Sequence, residues 1–119
     1  MIKKLFHLVS IFSLLSTSTL YAESTHRTPQ FSNDKVTVWE TVISPEKNQA
    51  LKMHKHDSDR VLIAFDEGTL KITNTKGESH LLKLEKNKAY YLTKKTGGEM
   101  HTDTNISNHP IHVMIIELH

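Results

Sequence analysis

Apolar and β-branched residues come along this chain in short runs, with turn residues between them. Residues 36–43 (VTVWETVI) are β-branched and aromatic, and residues 50–56 alternate Leu51, Met53 and Lys55 with Lys52, His54 and His56. Residues 61–65 are continuously apolar, Glu67-Gly68 leads into 69–73, and a turn at 75–78 containing Gly77 leads into 80–84. Residues 89–92 and 112–118 complete the series. Runs spaced about eight to twelve residues apart, separated by Gly, Asn and Lys, predict the strands of an all-β sandwich or barrel. Past the N-terminal segment no stretch keeps a helical period long enough for a stable helix. No repeat or low-complexity segment interrupts the pattern.

The first residues follow different chemistry. Lys3 and Lys4 precede a broken apolar stretch over residues 5–15, then a Ser/Thr segment, then Leu20-Tyr21-Ala22. A positive end, a short apolar middle and a small residue at the cut predict a secretory signal over residues 1–22. The apolar part is too short, and too interrupted by His7, Ser10 and Ser13, to span a bilayer of about 30 Å as a helix. The expected organisation is signal peptide 1–22, flexible leader 23–34 with Pro29, and one barrel domain over 35–119. Export places the mature chain in the periplasm or outside the cell, with no membrane contact after signal removal.

The formal net charge of +2 equals the charge of Lys3 and Lys4, so the expected mature chain is neutral. No basic face argues for nucleic acid. With no cysteine, the fold has no disulfide to support it and stands on its core, helped by a metal or a second subunit. No Ser/His/Asp, Cys/His or phosphate-loop arrangement is visible.

Nine histidines in 119 residues leave placement as the informative question. His26, His80, His109, His112 and His119 are isolated and read as solvated or packing side chains. His54 and His56 differ, because residues i and i+2 of a strand share a face, and two imidazoles side by side are what a metal takes from one strand. Further along come Gly98-Glu99-Met100-His101 and then Asn105.

In these residues the chain resembles the cupin superfamily. His54-x-His56 with Gly68 matches the first cupin motif, and Gly98-x2-His101-x3-Asn105 matches the second. Residues 105–118 (NISNHPIHVMIIEL) resemble the polar turn and last apolar strand of small bacterial cupins. The resemblance covers roughly residues 36–118 and implies a single cupin jelly-roll β-barrel. There are departures. The glycines that open both motifs are Asn48 and Asn87, the non-Gly type that most readily takes positive φ. The second-motif Pro is absent, and the surplus residues form a loop over 94–98 at the barrel mouth. The acidic ligand of the first motif falls at Arg60 or Val61, neither of which binds a cation.

The resemblance implies a three-His face of His54, His56 and His101 holding one divalent transition metal (Fe, Zn, Ni, Cu or Mn). Some cupin metalloenzymes are like this, among them iron-dependent thiol dioxygenases and related oxygenases. Three neutral imidazoles leave the charge of the metal uncompensated, which favours a small anionic or chelating molecule. Asp59, and after it Glu99, are candidates for a fourth ligand. Arg60 reads as a surface partner of Asp57 or Asp59; turned inward it would suit a substrate carboxylate. Asn105 reads as a turn-fixing residue, and Trp39, Tyr90, Tyr91 and Met114 as core aromatics and packing rather than pocket wall. The expected function is a metal-dependent oxygenase or isomerase. The alternatives are a non-catalytic binder of metal or small ligand and a metal-free structural cupin. A homodimer through paired edge strands is the expected assembly.

Overall fold

The computed structural model describes residues 23–97 and 99–119, so the expected signal peptide lies outside the described residues. In chain order these residues form β1 (His26–Ser32), β2 (Val36–Ile43), β3 (Leu51–His54), β4 (Arg60–Ala64) and β5 (Gly68–Asn74). They continue as β6 (Ser79–Leu84), β7 (Lys88–Leu92), a helical turn α1 (Lys94–Gly97), β8 (His101–Asn105) and β9 (Ile111–Leu118). One sheet has the order β1-β2-β9-β4-β7 and the other β3-β8-β5-β6. Every pairing is antiparallel. This is the expected all-β jelly roll, two sheets closing over one interior.

Alternation along the central strands builds the core. Arg60, Leu62 and Ala64 of β4 and Ile111, Val113 and Ile115 of β9 are buried, with half-buried residues between them. They meet Ile43, Leu70 and Leu84 in one apolar cluster, against which Trp39, Leu51, Leu82, Tyr90 and Leu92 pack. The apolar last strand therefore sits inside a sheet, between β2 and β4, with Ile111, Val113 and Ile115 in the core.

Residues expected to form a flexible leader instead add β1 to the sheet. All seven of its residues are exposed, which is why no apolar period announces it. It is an edge strand that tolerates Pro29 at a slip in register against β2. Arg27 holds it down, stacking 4.5 Å from the Trp39 ring centroid and lying 3.7 Å from Glu117. Tyr90 packs on the core as expected, whereas Tyr91 is 60% exposed.

Asn48 and Asn87 both take positive φ, 67° and 62°, as expected of residues standing in for glycine. Gly68 is required for a different reason. A Cβ there would run into the side chain of Ile111, with Cγ1 at 2.7 Å, and meet Ser107 Oγ at 2.9 Å. Gly68→Ala is expected to lower stability in urea unfolding by about 1–3 kcal/mol, the usual cost of overpacking a core.

His112 links the start of β9 to two other segments. Its backbone N–H donates to Asp66 Oδ2 at 2.8 Å, its Nδ1 meets the same oxygen, and its Nε2 lies 3.0 Å from Glu23 Oε2. Burial lowers the pKa of His112, but the bonds to Asp66 and Glu23 outweigh it and the net shift is upward from 6.5. At Asp66 burial acts upward and His112 reverses it, leaving that carboxyl below 3.8. The pair's contribution is thus lost as pH rises above 6.5 through the folded pKa of His112, and lost again as pH falls below 3.8 through that of Asp66. The melting-temperature gap between wild type and His112→Gln is expected to be widest between those limits and to shrink on either side.

Candidate functional site

β8 carries no apolar residue, yet it is the second strand of its sheet, paired with β3 on one side and β5 on the other. Its inward positions are His101, Asp103 and Asn105, of which His101 and Asn105 are 5% and 4% exposed. Asn105 works as a turn clamp, as expected. Its Nδ2 donates to the carbonyls of Ile43 and His109, both at 2.8 Å, and its Oδ1 accepts the Ser107 N–H at 2.8 Å.

The β3–β8 register sets His54 directly opposite His101, and His56 follows two residues beyond His54. Ring centroids stand 4.5 Å apart for His54 and His101, 4.9 Å for His54 and His56, and 5.4 Å for His56 and His101. One nitrogen from each ring lies within 4.8 Å of the others. Two of the rings are oriented by backbone. His54 Nδ1–H donates to the Lys52 carbonyl at 2.6 Å and His101 Nδ1–H to the Glu99 carbonyl at 2.7 Å. A carbonyl only accepts, so Nδ1 carries the proton in both and Nε2 is left for the site.

Asp103 stands beside them, and its place at the site was not anticipated from the sequence. Its Oδ2 is 3.4 Å from His54 Nε2 and its Oδ1 is 3.8 Å from His101 Nε2. A lone pair facing a carboxylate needs a positive charge between them, either a proton or a metal ion. The hydrogen bond to Asp103 accordingly raises the pKa of His54, against the opposing effect of burial. His56 goes the other way. Burial, then the charges of Arg60, His54 and His101, push it down to about 3, so it is a neutral ring with a free lone pair. The donor set fits a divalent transition ion, with His54, His56 and His101 to hold it and Asp103 as the adjacent anion.

The two carboxylates expected as fourth ligands are elsewhere. Asp59 accepts the Tyr91 hydroxyl and the Lys94 N–H, each at 2.7 Å, at the rim by α1. Glu99 is exposed, with Oε2 at 3.5 Å from Asn74 Nδ2. Neither joins the imidazole cluster. Arg60 also departs from expectation, because it is buried at 8% exposure and lines the interior. The first position of β4 shares its inward face with Leu62 and Ala64, and that alternation sets its direction.

The histidines border a cavity of about 700 Å³ between the sheets. Its walls are largely aliphatic, with Leu62, Leu70, Leu82, Val113 and Ile115 among them, while Thr41, Arg60 and Asp103 bring polar groups. His26 and His80 line it too but are not members of the three-ring cluster.

No family model matches this chain, and no relative is found among curated proteins. Solved structures do match. A cupin domain from Bordetella pertussis Tohama I is similar with TM-score 0.68 and 23% identity, over 82% of this chain and 96% of that one. An RmlC-like cupin family protein with a double-stranded β-helix fold, from Methanocaldococcus jannaschii, gives TM-score 0.59 and 15% identity over 82% and 83%. The cupin domain of an XRE family transcriptional regulator from Enterobacter cloacae gives TM-score 0.56 and 17% identity over 82% and 98%. The fold is the cupin double-stranded β-helix.

Asp103→Asn is expected to lower the pKa of His54 in chelator-treated protein, because the anion that stabilises the imidazolium is gone. An NMR titration of the His54 ring should show wild type above 6.5 and the variant below wild type.

Proposed function

We propose that this chain is an exported metal-binding cupin that handles a small anionic molecule at His54, His56 and His101. The observation that carries the reading is the pair of Nδ1–H bonds to the Lys52 and Glu99 carbonyls. They turn two Nε2 atoms inward beside a third, neutral imidazole. Imidazoles gathered this closely, one buried and two half-buried, are costly unless something satisfies them.

The residues divide the work. The three imidazoles hold the ion, Asp103 offsets part of its charge, and the aliphatic walls exclude water from the bound molecule. When bound, the ion supplies Lewis-acid polarisation of a coordinated anion and, if redox-active, reactivity toward dioxygen. An oxygenase or isomerase acting on a small anion is the activity this combination supports.

One observation favours a second reading, a non-catalytic metal or small-ligand binder. Asp103 faces two of the three imidazoles, and a carboxylate completing the ligand set would close the site in the manner of structural zinc centres. Exchange of bound water, measured by relaxation on the manganese-loaded protein, separates an open site from a closed one.

Export is supported by the pattern of residues 1–22. Purified from periplasm without an affinity tag, the protein is expected to begin at Glu23 by intact mass and to carry a single transition-metal ion by elemental analysis. His101→Ala is expected to lose it. Adding the metal back at 100 times Kd should stabilise wild type by about 2.7 kcal/mol and leave the variant unmoved. A wild type that neither holds metal nor responds to it contradicts the proposal.

A further inference from the structure

Four buried side-chain polar atoms lack a hydrogen-bond partner among the described residues: Trp39 Nε1, Thr41 Oγ1, Arg60 Nη1 and Asp103 Oδ1. Three of the four belong to residues lining the cavity. A polar group taken out of water without a partner is costly, a charged one most of all. Three such groups around one cavity are where a ligand or ordered water supplies the missing partners.

Arg60 is the charged donor of the set. It opens β4 between Leu92 of β7 and Glu117 of β9. Asp103, Glu117 and Asp59 lie near enough for their charge to act on it, but none forms an ion pair with it, and each has another engagement. Glu117 contacts Arg27 at 3.7 Å. Asp59 accepts from Tyr91 and Lys94. Asp103 faces His54 and His101. The result is a guanidinium set in an aliphatic wall with an unused, buried N–H.

We propose that Arg60 anchors the carboxylate of an amphiphilic organic acid whose apolar body lies along Leu62, Leu70, Leu82, Val113 and Ile115. The planar guanidinium fork matches a carboxylate. A single cation, partly offset by the nearby Asp103, offers at most one charge to neutralise, which favours a monoanion over a phosphate dianion. A cavity of about 700 Å³ is of the size that holds such a molecule. This names the ligand class for the cavity described above and rests on that reading for the cavity being a ligand site. Arg60 acts without the metal, so the two ideas fail separately.

The test titrates octanoate and its uncharged isostere octanamide, by calorimetry, into wild type, Arg60→Met and Arg60→Lys, each chelator-treated and zinc-loaded. Wild type is expected to prefer octanoate by at least about 30-fold in both states, the loss expected when one partner of a buried charge pair is removed. In the chelator-treated state Arg60→Met should bind the two compounds alike, and Arg60→Lys should keep only part of the preference. Ligand-free Arg60→Met should melt no lower than wild type, because it removes an unpaired buried charge. Octanoate bound no tighter than octanamide, or a preference that survives Arg60→Met in chelator-treated protein, overturns the proposal. So does an Arg60→Met protein that melts well below wild type, since Arg60 would then be structural. Octanoate binding that needs zinc and ignores Arg60→Met defeats this proposal while leaving the metal reading intact. A preference that depends on Arg60 in a protein unable to hold zinc does the reverse.

Discussion

The pairing of β8 between β3 and β5 is the constraint on which the site depends. β8 reads His-Thr-Asp-Thr-Asn, a sequence with low hydrophobic drive to enter a fold. Ladder bonds to both neighbours, and the Asn105 clamp on Ile43 and His109, hold it in place. Because side chains alternate with a period of two, that register decides everything its inward face presents. A slip by one residue would swap His101, Asp103 and Asn105 for Thr102 and Thr104. It would also dissolve the His54–His101 opposition.

The interior is therefore polar at one end and apolar at the other. Ala64, Leu84 and Ile111 lie in the apolar core away from the cavity, and Gly68 lets β5 come close to Ile111 there. Toward His54, His101 and Arg60 the strands carry polar groups, some without partners. Such groups cost stability unless they are satisfied, which is the trade that preorganised recognition of a ligand would require. Charge is distributed within this region. Asp103 holds His54 ready to be protonated or metallated, while burial and nearby cations keep His56 neutral. One small barrel thus presents two differently tuned imidazoles side by side.

Much of the fold was legible because strands with one buried face write their period into the sequence. β2 coincides with the expected segment 36–43, and β4 to β7 and β9 fall within a residue of theirs. His54, His56 and His101 were legible from spacing and from the cupin resemblance, and the asparagines replacing glycine were legible from backbone preference. Two strands were hidden for opposite reasons. β1 has no buried face, and the inward face of β8 is made of polar functional groups, so neither carries a hydrophobic period. Missing β8 as a strand also hid Asp103. His101-x-Asp103 has the same i, i+2 spacing as His54-x-His56, and read as a strand it places the carboxylate beside the histidines. Arg60 falls where the motif's acidic ligand is missing, a comparison that hides its position two before Leu62, which points it inward.

X-ray absorption at the zinc edge, on wild type loaded with one zinc per chain, tests most directly whether the three histidines hold a metal together. Three imidazole ligands at about 2.0–2.1 Å are expected, with one fewer in His56→Ala. A spectrum with no more than one imidazole, unchanged in His56→Ala, would contradict it.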